Sequence, residues 1–141
     1  MDRSSFTVGR YVGRLVEIRL FHLGSVDTIA ELSRLIAGEA RSAQALTVIF
    51  GDYRRTRPFS QEVGDAWSRA MRGFNESVAW SAILLARSNE TFNLQIERVV
   101  RCAVHPARRL FWDARELREW VGPRATAAEL SRLDPLLRDG A

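Results

Sequence analysis

The chain has 141 residues, 46% hydrophobic and 27% charged, proportions that are ordinary for one soluble globular domain. All 21 basic residues are arginines, and the net charge is +4. This charge is too small and too dispersed for the dense basic surface expected of a nucleic-acid-binding protein. The single cysteine, Cys102, excludes an internal disulfide and favours a reducing compartment, here the cytoplasm. No apolar run is long enough to span a bilayer, and residues 1–5 lack a signal-peptide core.

The first half of the chain predicts two strands, a helix and a third strand. Residues 6–12 are rich in β-forming residues, and residues 15–23 alternate apolar with polar positions, as half-buried strands do. Residues 26–41 change to helical spacing, with an inward face made of Ile29, Leu32, Leu35, Ile36 and Ala40. Residues 46–50 are continuously apolar, which is typical of a central strand covered on both faces.

The middle of the chain continues this alternation. Ser60 is a predicted N-cap, and the apolar residues from Val63 to Phe74 have the spacing of one buried helical face. Residues 78–86 predict a strand, and residues 89–104 predict a helix in which Cys102 is expected to be buried and inert.

The C-terminal part predicts a short strand and two helices. Residues 109–112 form the strand, and Asp113 caps the helix that follows it. Thr126 and Glu129 match a capping box for a terminal helix that carries four leucines, and Pro135 is expected to limit or kink that helix.

This order of elements predicts an α/β fold. We expect a mixed, largely parallel sheet of about five strands with helices packed on it, plus a C-terminal helix. Residues 1–122 are expected to form the α/β domain. Residues 123–141 are expected to form a helical extension that packs on the domain or on a partner, since its leucines must be buried somewhere.

The polar turn after the third strand is the most informative segment for function. It begins at Asp52, contains Arg54, Arg55 and Arg57, and ends at Ser60. Ligands of open α/β sheets meet the carboxyl ends of strands, and guanidinium groups beside a helix N-terminus suit anions. A plainer interpretation also fits, in which Asp52 bonds the local backbone, the arginines are solvated and Ser60 only caps the helix.

The other reactive residues form no recognisable catalytic or metal-binding motif. No spacing links Cys102 to His22 or His105 as a nucleophile with its base, and no set of three or four metal ligands is evident. A glycine-rich phosphate loop is also absent from the sequence. We therefore expect a protein that is not an enzyme and that uses no metal or other cofactor.

Three segments resemble the STAS domain, the fold of sulfate transporters and anti-sigma-factor antagonists. They are the strand at residues 48–52 that ends in an acid, the helix that starts at Ser60, and the aromatic strand and helix at residues 109–121. The resemblance covers residues 6–121 in element order. It implies a bacterial regulatory module that binds proteins without catalysis. Ser60 is similarly placed to the serine that the family's regulatory branch phosphorylates, although the acid that precedes that serine is replaced by Phe59.

The function predicted from these observations is the docking of another protein or of a second copy of the chain. The predicted partner-binding residues lie in the turn and at the start of the following helix: Asp52, Tyr53, Arg54, Arg55, Arg57 and Phe59. Ser60 is the candidate phosphorylation site. The alternative is the binding of an anionic ligand, such as a phosphate, a nucleotide or a lipid headgroup, by the arginines of the turn.

Overall fold

The computed structural model describes residues 5–42 and 46–138, and these contain five strands and five helices. The strands are β1 (Phe6–Val12), β2 (Leu15–Leu20), β3 (Thr47–Asp52), β4 (Val78–Leu84) and β5 (Arg108–Phe111). The helices are α1 (Val26–Ser42), α2 (Gln61–Gly73), α3 (Glu90–Ala103), α4 (Ala114–Val121) and α5 (Ala127–Arg138). Short 3₁₀ turns lie at Asn75–Ser77 and Gly122–Arg124.

The strands form one mixed sheet in the order β1–β2–β3–β4–β5, which confirms the predicted fold class. β1 and β2 form an antiparallel hairpin, and β2 to β5 run parallel. At the hairpin turn, Gly13 has a φ of 54°, in the left-handed region that glycine adopts without strain. Because β2, β3 and β4 are parallel neighbours, the loops that follow them lie along one edge of the sheet.

Helices α1, α2 and α3 cover one face of the sheet. Successive side chains of a strand point to opposite faces, so Val16, Ile18 and Leu20 of β2 share a core cluster with the inward stripes of these helices. Trp67 of α2 is 1% exposed in this cluster, and Phe92 of α3 is fully buried. The buried face of α2, from Val63 to Phe74, is the one predicted from helical spacing, and α2 and α3 pack side by side on the sheet.

Helices α4 and α5 cover the opposite face. Leu133 and Leu137 of α5 join the second core cluster together with alternate residues of β3 and β4, so the terminal helix packs on the sheet of its own chain. Trp80 of β4 contacts Trp120 of α4 edge to face, with 5.9 Å between the ring centroids. The indole N–H of Trp80 donates a hydrogen bond to the Arg124 carbonyl oxygen at 3.1 Å, which satisfies its polar atom.

Glu129 joins α5 to the β1–β2 hairpin. The predicted capping box is formed, because Thr126 Oγ1 accepts from the Glu129 N–H and the Glu129 carboxylate accepts from the Thr126 N–H. The same carboxylate accepts three hydrogen bonds from Arg14, from its backbone N–H, Nε and Nη2. Burial alone would raise the pKa of Glu129, but the hydrogen bonds from Arg14 and Thr126 outweigh it and lower that pKa to about 2.

Several predicted details were wrong. Cys102 is exposed, because the buried stripe of α3 passes through Val99 and Ala103 and leaves it outside. Leu35 is 41% exposed, because Ile29, Leu32 and Ile36 already fill the interface of α1. Pro135 does not end α5, which continues to Arg138, since Leu137 is buried against the sheet and holds the last turn in place.

Two element ends also differ from the sequence prediction. β2 ends at Leu20 rather than at residue 23, because the backbone N–H groups of Phe21 and His22 both donate to the carbonyl oxygen of Ser5. α3 runs from Glu90 to Ala103 rather than over residues 89–104; Asn89 is its N-cap residue, but the Asn89 side chain bonds the Thr56 carbonyl oxygen and does not cap the helix. Within the described ranges, no helix has the length and hydrophobicity needed to cross a bilayer.

Candidate functional site

The turn after β3 is built around an ion pair between Asp52 and Arg54. Arg54 Nε lies 2.9 Å from Asp52 Oδ1 and Arg54 Nη2 lies 3.0 Å from Asp52 Oδ2, so the ion pair is bidentate. Asp52 Oδ1 also accepts from the backbone N–H of Arg54 at 3.2 Å, as expected for an acid that orders a turn. The Asp52 and Arg54 side chains are only 14% and 10% exposed, so the pair is largely screened from solvent.

Arg54 also ties the turn to the C-terminus of α5. Its Nη1 donates to the Leu137 carbonyl oxygen at 3.2 Å, and its Nη2 donates to the Leu136 carbonyl oxygen at 3.0 Å. Carbonyl oxygens in the last turn of a helix lack helical partners and carry partial negative charge, so a guanidinium stabilises them. Arg54 is therefore a structural clamp between the turn and the helix on the opposite face.

Tyr53 and Thr56 anchor the turn in the core. Tyr53 is 2% exposed and its ring meets Phe92 edge on, so this predicted partner-binding residue lies inside the protein. Burial raises the pKa of the Tyr53 hydroxyl well above its ordinary value. Thr56 Oγ1 donates to the Leu20 carbonyl oxygen at 2.6 Å, which ties the turn to the end of β2.

Arg55 and Arg57 are the arginines of the turn that face solvent. Both are exposed, and neither guanidinium has a hydrogen bond or ion pair within residues 5–42 and 46–138. The backbone N–H of Arg57 donates to the Phe21 carbonyl oxygen at 3.0 Å, so the backbone beneath these side chains is fixed. The loop thus presents two cations that have no partner in the described parts of the chain.

Phe59 and Ser60 connect this loop to α2. Phe59 is half-buried; its ring contacts Phe92 edge on at 5.8 Å, and its backbone N–H and carbonyl oxygen both bond the Gln95 side-chain amide. Ser60 is exposed and is the predicted N-cap, because its Oγ accepts from the Val63 N–H at 3.2 Å. We define the loop surface as the exposed residues Arg55, Arg57 and Ser60 together with the half-buried Phe59.

A groove between α2 and α3 begins at Phe59 and Ser60 and was not predicted from the sequence. It has a volume of about 450 Å³, and its lining includes Arg69 and Arg72 of α2 and Arg98 of α3. The apolar stripe of each helix indicates which positions of that helix are exposed. Nothing local in the sequence shows that two exposed faces line one groove, because that depends on how the helices pack.

The reactive residues singled out from the sequence do not converge on one site. Asp52 is the last residue of β3 and His22 follows the end of β2, so both lie at the carboxyl edge of the sheet. His105 lies at the amino edge, where its Nε2 is 2.9 Å from the carbonyl oxygen of Val78, the first residue of β4; Cys102 is at the matching end of α3. Within the described ranges, no three His, Cys, Asp or Glu residues are grouped so that they could hold a metal ion.

The geometry thus defines an α/β protein with an ordered turn and arginine-lined helices beyond its central strand. No family model matches the chain, and neither the curated proteins nor the solved structures contain a match. The assignment of function therefore depends on the residues and contacts described above.

Proposed function

We propose that this chain is a non-enzymatic bacterial regulatory module of STAS-like fold that docks another protein through the loop surface. The observation that carries the proposal is the pair of exposed guanidiniums, Arg55 and Arg57, on a loop whose backbone is held by Asp52, Arg54 and Thr56. A pinned loop loses little conformational entropy when a partner binds, so its contacts contribute more to affinity.

Ser60 supplies a means of regulation within this proposal. Ser60 is exposed at the N-cap of α2 and directly follows the loop that carries Arg55 and Arg57. A phosphate there would meet the positive end of the helix dipole and nearby arginines, which is electrostatically favourable. It would also neutralise the positive charge that the loop surface offers to an acidic partner, and phosphorylation would then weaken docking.

An anionic ligand is the second candidate occupant of the loop surface. It is favoured by the same two side chains, since Arg55 and Arg57 are the cations of the turn that Asp52 does not neutralise. Guanidinium groups form bidentate pairs with phosphate as readily as with carboxylate. The exposed carboxylates of Glu62 and Asp65 in the first turns of α2 oppose a highly charged ligand and favour a partner that contacts a wider area.

The docking proposal is tested by reversing the charges of Arg55 and Arg57. Tagged wild-type protein and the Arg55→Glu/Arg57→Glu variant are used to capture partners from native cells, with quantitative mass spectrometry as the readout. The control is Arg34→Glu/Arg115→Glu, which makes the same charge change on α1 and α4, where both arginines are exposed in surface ion pairs.

We expect a partner that the wild type and the control enrich equally and that the loop variant loses by about tenfold or more, since two reversed pairs cost at least about 1.4 kcal/mol. The partner can be a second copy of the chain, which sedimentation velocity detects. Identical capture by all three proteins would show that the loop surface is not the docking site.

A further inference from the structure

The groove between α2 and α3 has a floor of small and apolar residues. Gly64 and Ser68 of α2 face Val99 of α3 along it. A Cβ atom on Gly64 would lie 2.9 Å from the Phe59 ring, so a larger residue would displace Phe59 from the groove's end. Ser68 is buried and its Oγ donates to the Val99 carbonyl oxygen at 3.2 Å, which holds the two helices together beneath the channel.

Three arginines give the far half of the groove a positive charge. Arg69, Arg72 and Arg98 line it, and none of their guanidiniums has an ion pair or hydrogen bond in the described parts of the chain. Asp65 is the acidic residue in the lining, and it lies one helical turn nearer to Ser60. The groove is therefore polarised, with its cationic part between Arg69 and the α3 terminus at Cys102.

We propose that this groove binds a short, extended, acidic segment of a partner protein. The lining of α2 from Ser60 to Arg72 spans about 18 Å at 1.5 Å per residue, which matches about five residues of extended chain at 3.3 Å each. Carboxylates of such a segment pair with Arg69, Arg72 and Arg98, while apolar side chains contact Val99 and the Phe59 ring. Cations on both walls of an open channel suit a chain that passes along it better than one compact anion.

This inference rests on the proposed role as an interaction module. The groove shares Phe59 and Ser60 with the loop surface, but the arginines that carry its charge lie outside that surface. The loop presents Arg55 and Arg57 at the start of α2, whereas the groove carries its charge toward the end of that helix. One partner that contacts both would have an acidic tail beside its main docking face. Variants of the loop surface and variants of the groove therefore test the two proposals independently.

Cys102 provides a probe, because it is the chain's single cysteine, is exposed and lines the cationic end of the groove. The protein is equilibrated in a thiol–disulfide buffer with two capped peptides, Glu-Leu-Glu-Leu-Cys and Gln-Leu-Gln-Leu-Cys, at equal concentrations. Intact-protein mass spectrometry then gives the ratio of the two mixed disulfides. At low salt we expect the acidic peptide to be favoured about tenfold, and we expect the ratio to approach one at about 0.5 M salt because of screening.

The matched variants are Arg69→Gln/Arg72→Gln/Arg98→Gln in the groove and Arg34→Gln/Arg115→Gln/Arg138→Gln outside it. We expect the groove variant to lose the preference and the outside variant to retain it. Both should unfold at close to the wild-type temperature. The three groove arginines have no partner among residues 5–42 and 46–138, and the pairs of Arg34 and Arg115 are exposed surface pairs of small energy. A wild-type ratio near one at low salt, or an undiminished ratio in the groove variant, would overturn the proposal.

The loop variant Arg55→Glu/Arg57→Glu separates the two ideas. We expect it to retain the preference for the acidic peptide even where it loses partner capture. A ratio near one in the wild type together with loss of capture in the loop variant would refute the groove and leave the docking function standing. Dimerisation of the wild type that the groove variant abolishes would assign the groove to a second copy, and would also refute the acidic-segment proposal.

Discussion

Replacing Glu129 with glutamine should destabilise the protein at neutral pH and remove a distinct part of its acid sensitivity. The Glu129 carboxylate is 2% exposed and accepts hydrogen bonds from Arg14 and from the Thr126 N–H, with distances of 2.9 to 3.1 Å. A glutamine keeps the shape but turns an N–H₂ group toward these donors and leaves Arg14 without its counter-charge. The change therefore tests the contact that fixes α5 to the hairpin.

The magnitude follows from the pKa of Glu129, which the fold lowers from 4.5 to about 2. One pKa unit corresponds to about 1.4 kcal/mol, so the ionised carboxylate contributes about 3 kcal/mol to the free energy of unfolding. Because the folded pKa is the lower one, this contribution is complete above about pH 4.5. It is lost as the pH falls from there through about 2, where the folded carboxylate also takes up a proton.

Urea unfolding followed by tryptophan fluorescence measures this difference from pH 7 down to pH 2. We expect Glu129→Gln to lose about 3 kcal/mol at pH 7, or about 10 °C in Tm, and to converge with the wild type near the acid end. The control is Glu119→Gln, whose carboxylate is 68% exposed and 3.6 Å from Arg115, and which should cost less than about 1 kcal/mol. Parallel stability–pH curves for wild type and Glu129→Gln would refute the reasoning.

Two further predictions concern the turn after β3. Arg54→Gln should lower the free energy of unfolding by about 2–3 kcal/mol, because it leaves Asp52 and two carbonyl oxygens of α5 without their charged donor. Arg55→Gln should change the free energy of unfolding by less than about 0.5 kcal/mol. Equal urea midpoints for the two variants would contradict the role of Arg54 as a clamp. The second prediction concerns an anionic ligand of the loop surface, tested in a thermal-shift assay with inorganic phosphate, ATP and soluble phosphoinositide headgroups. A ligand that binds there should stabilise the wild type by about 2.7 kcal/mol at a hundred times its Kd, and Arg55→Glu/Arg57→Glu should abolish that shift. The absence of any shift at saturating concentrations would exclude those ligands.

The elements with strong local signals were predictable from the sequence. The apolar spacing of α2 marks its buried face, and Ser60, Asp113 and Thr126 cap helices because their short oxygen-bearing side chains reach the free N–H groups of the first turn. The alternation of strands with these helices leaves a largely parallel sheet as the natural arrangement. These features depend on residues close together in the chain.

The candidate site was predictable in position but not in the role of each residue. The turn was found because polar residues follow a buried strand, and Asp52 ordering that turn is a local effect. Whether an arginine is free or engaged depends on what folds beside it, however. Arg54 pairs locally with Asp52, but it also bonds the end of α5, more than eighty positions along the chain, while Arg55 points to solvent.

The sequence by itself determined the class of fold, the caps at Ser60, Asp113 and Thr126, the buried face of α2 and the position of the turn after the central strand. Only the tertiary structure decided that Tyr53 is buried, that Cys102 is exposed, and that Arg69, Arg72 and Arg98 share one groove. The physical reason is the range of the interactions. Periodicity and capping act over one helical turn or one strand, whereas exposure and charge clustering arise when distant segments pack together and remove some groups from water.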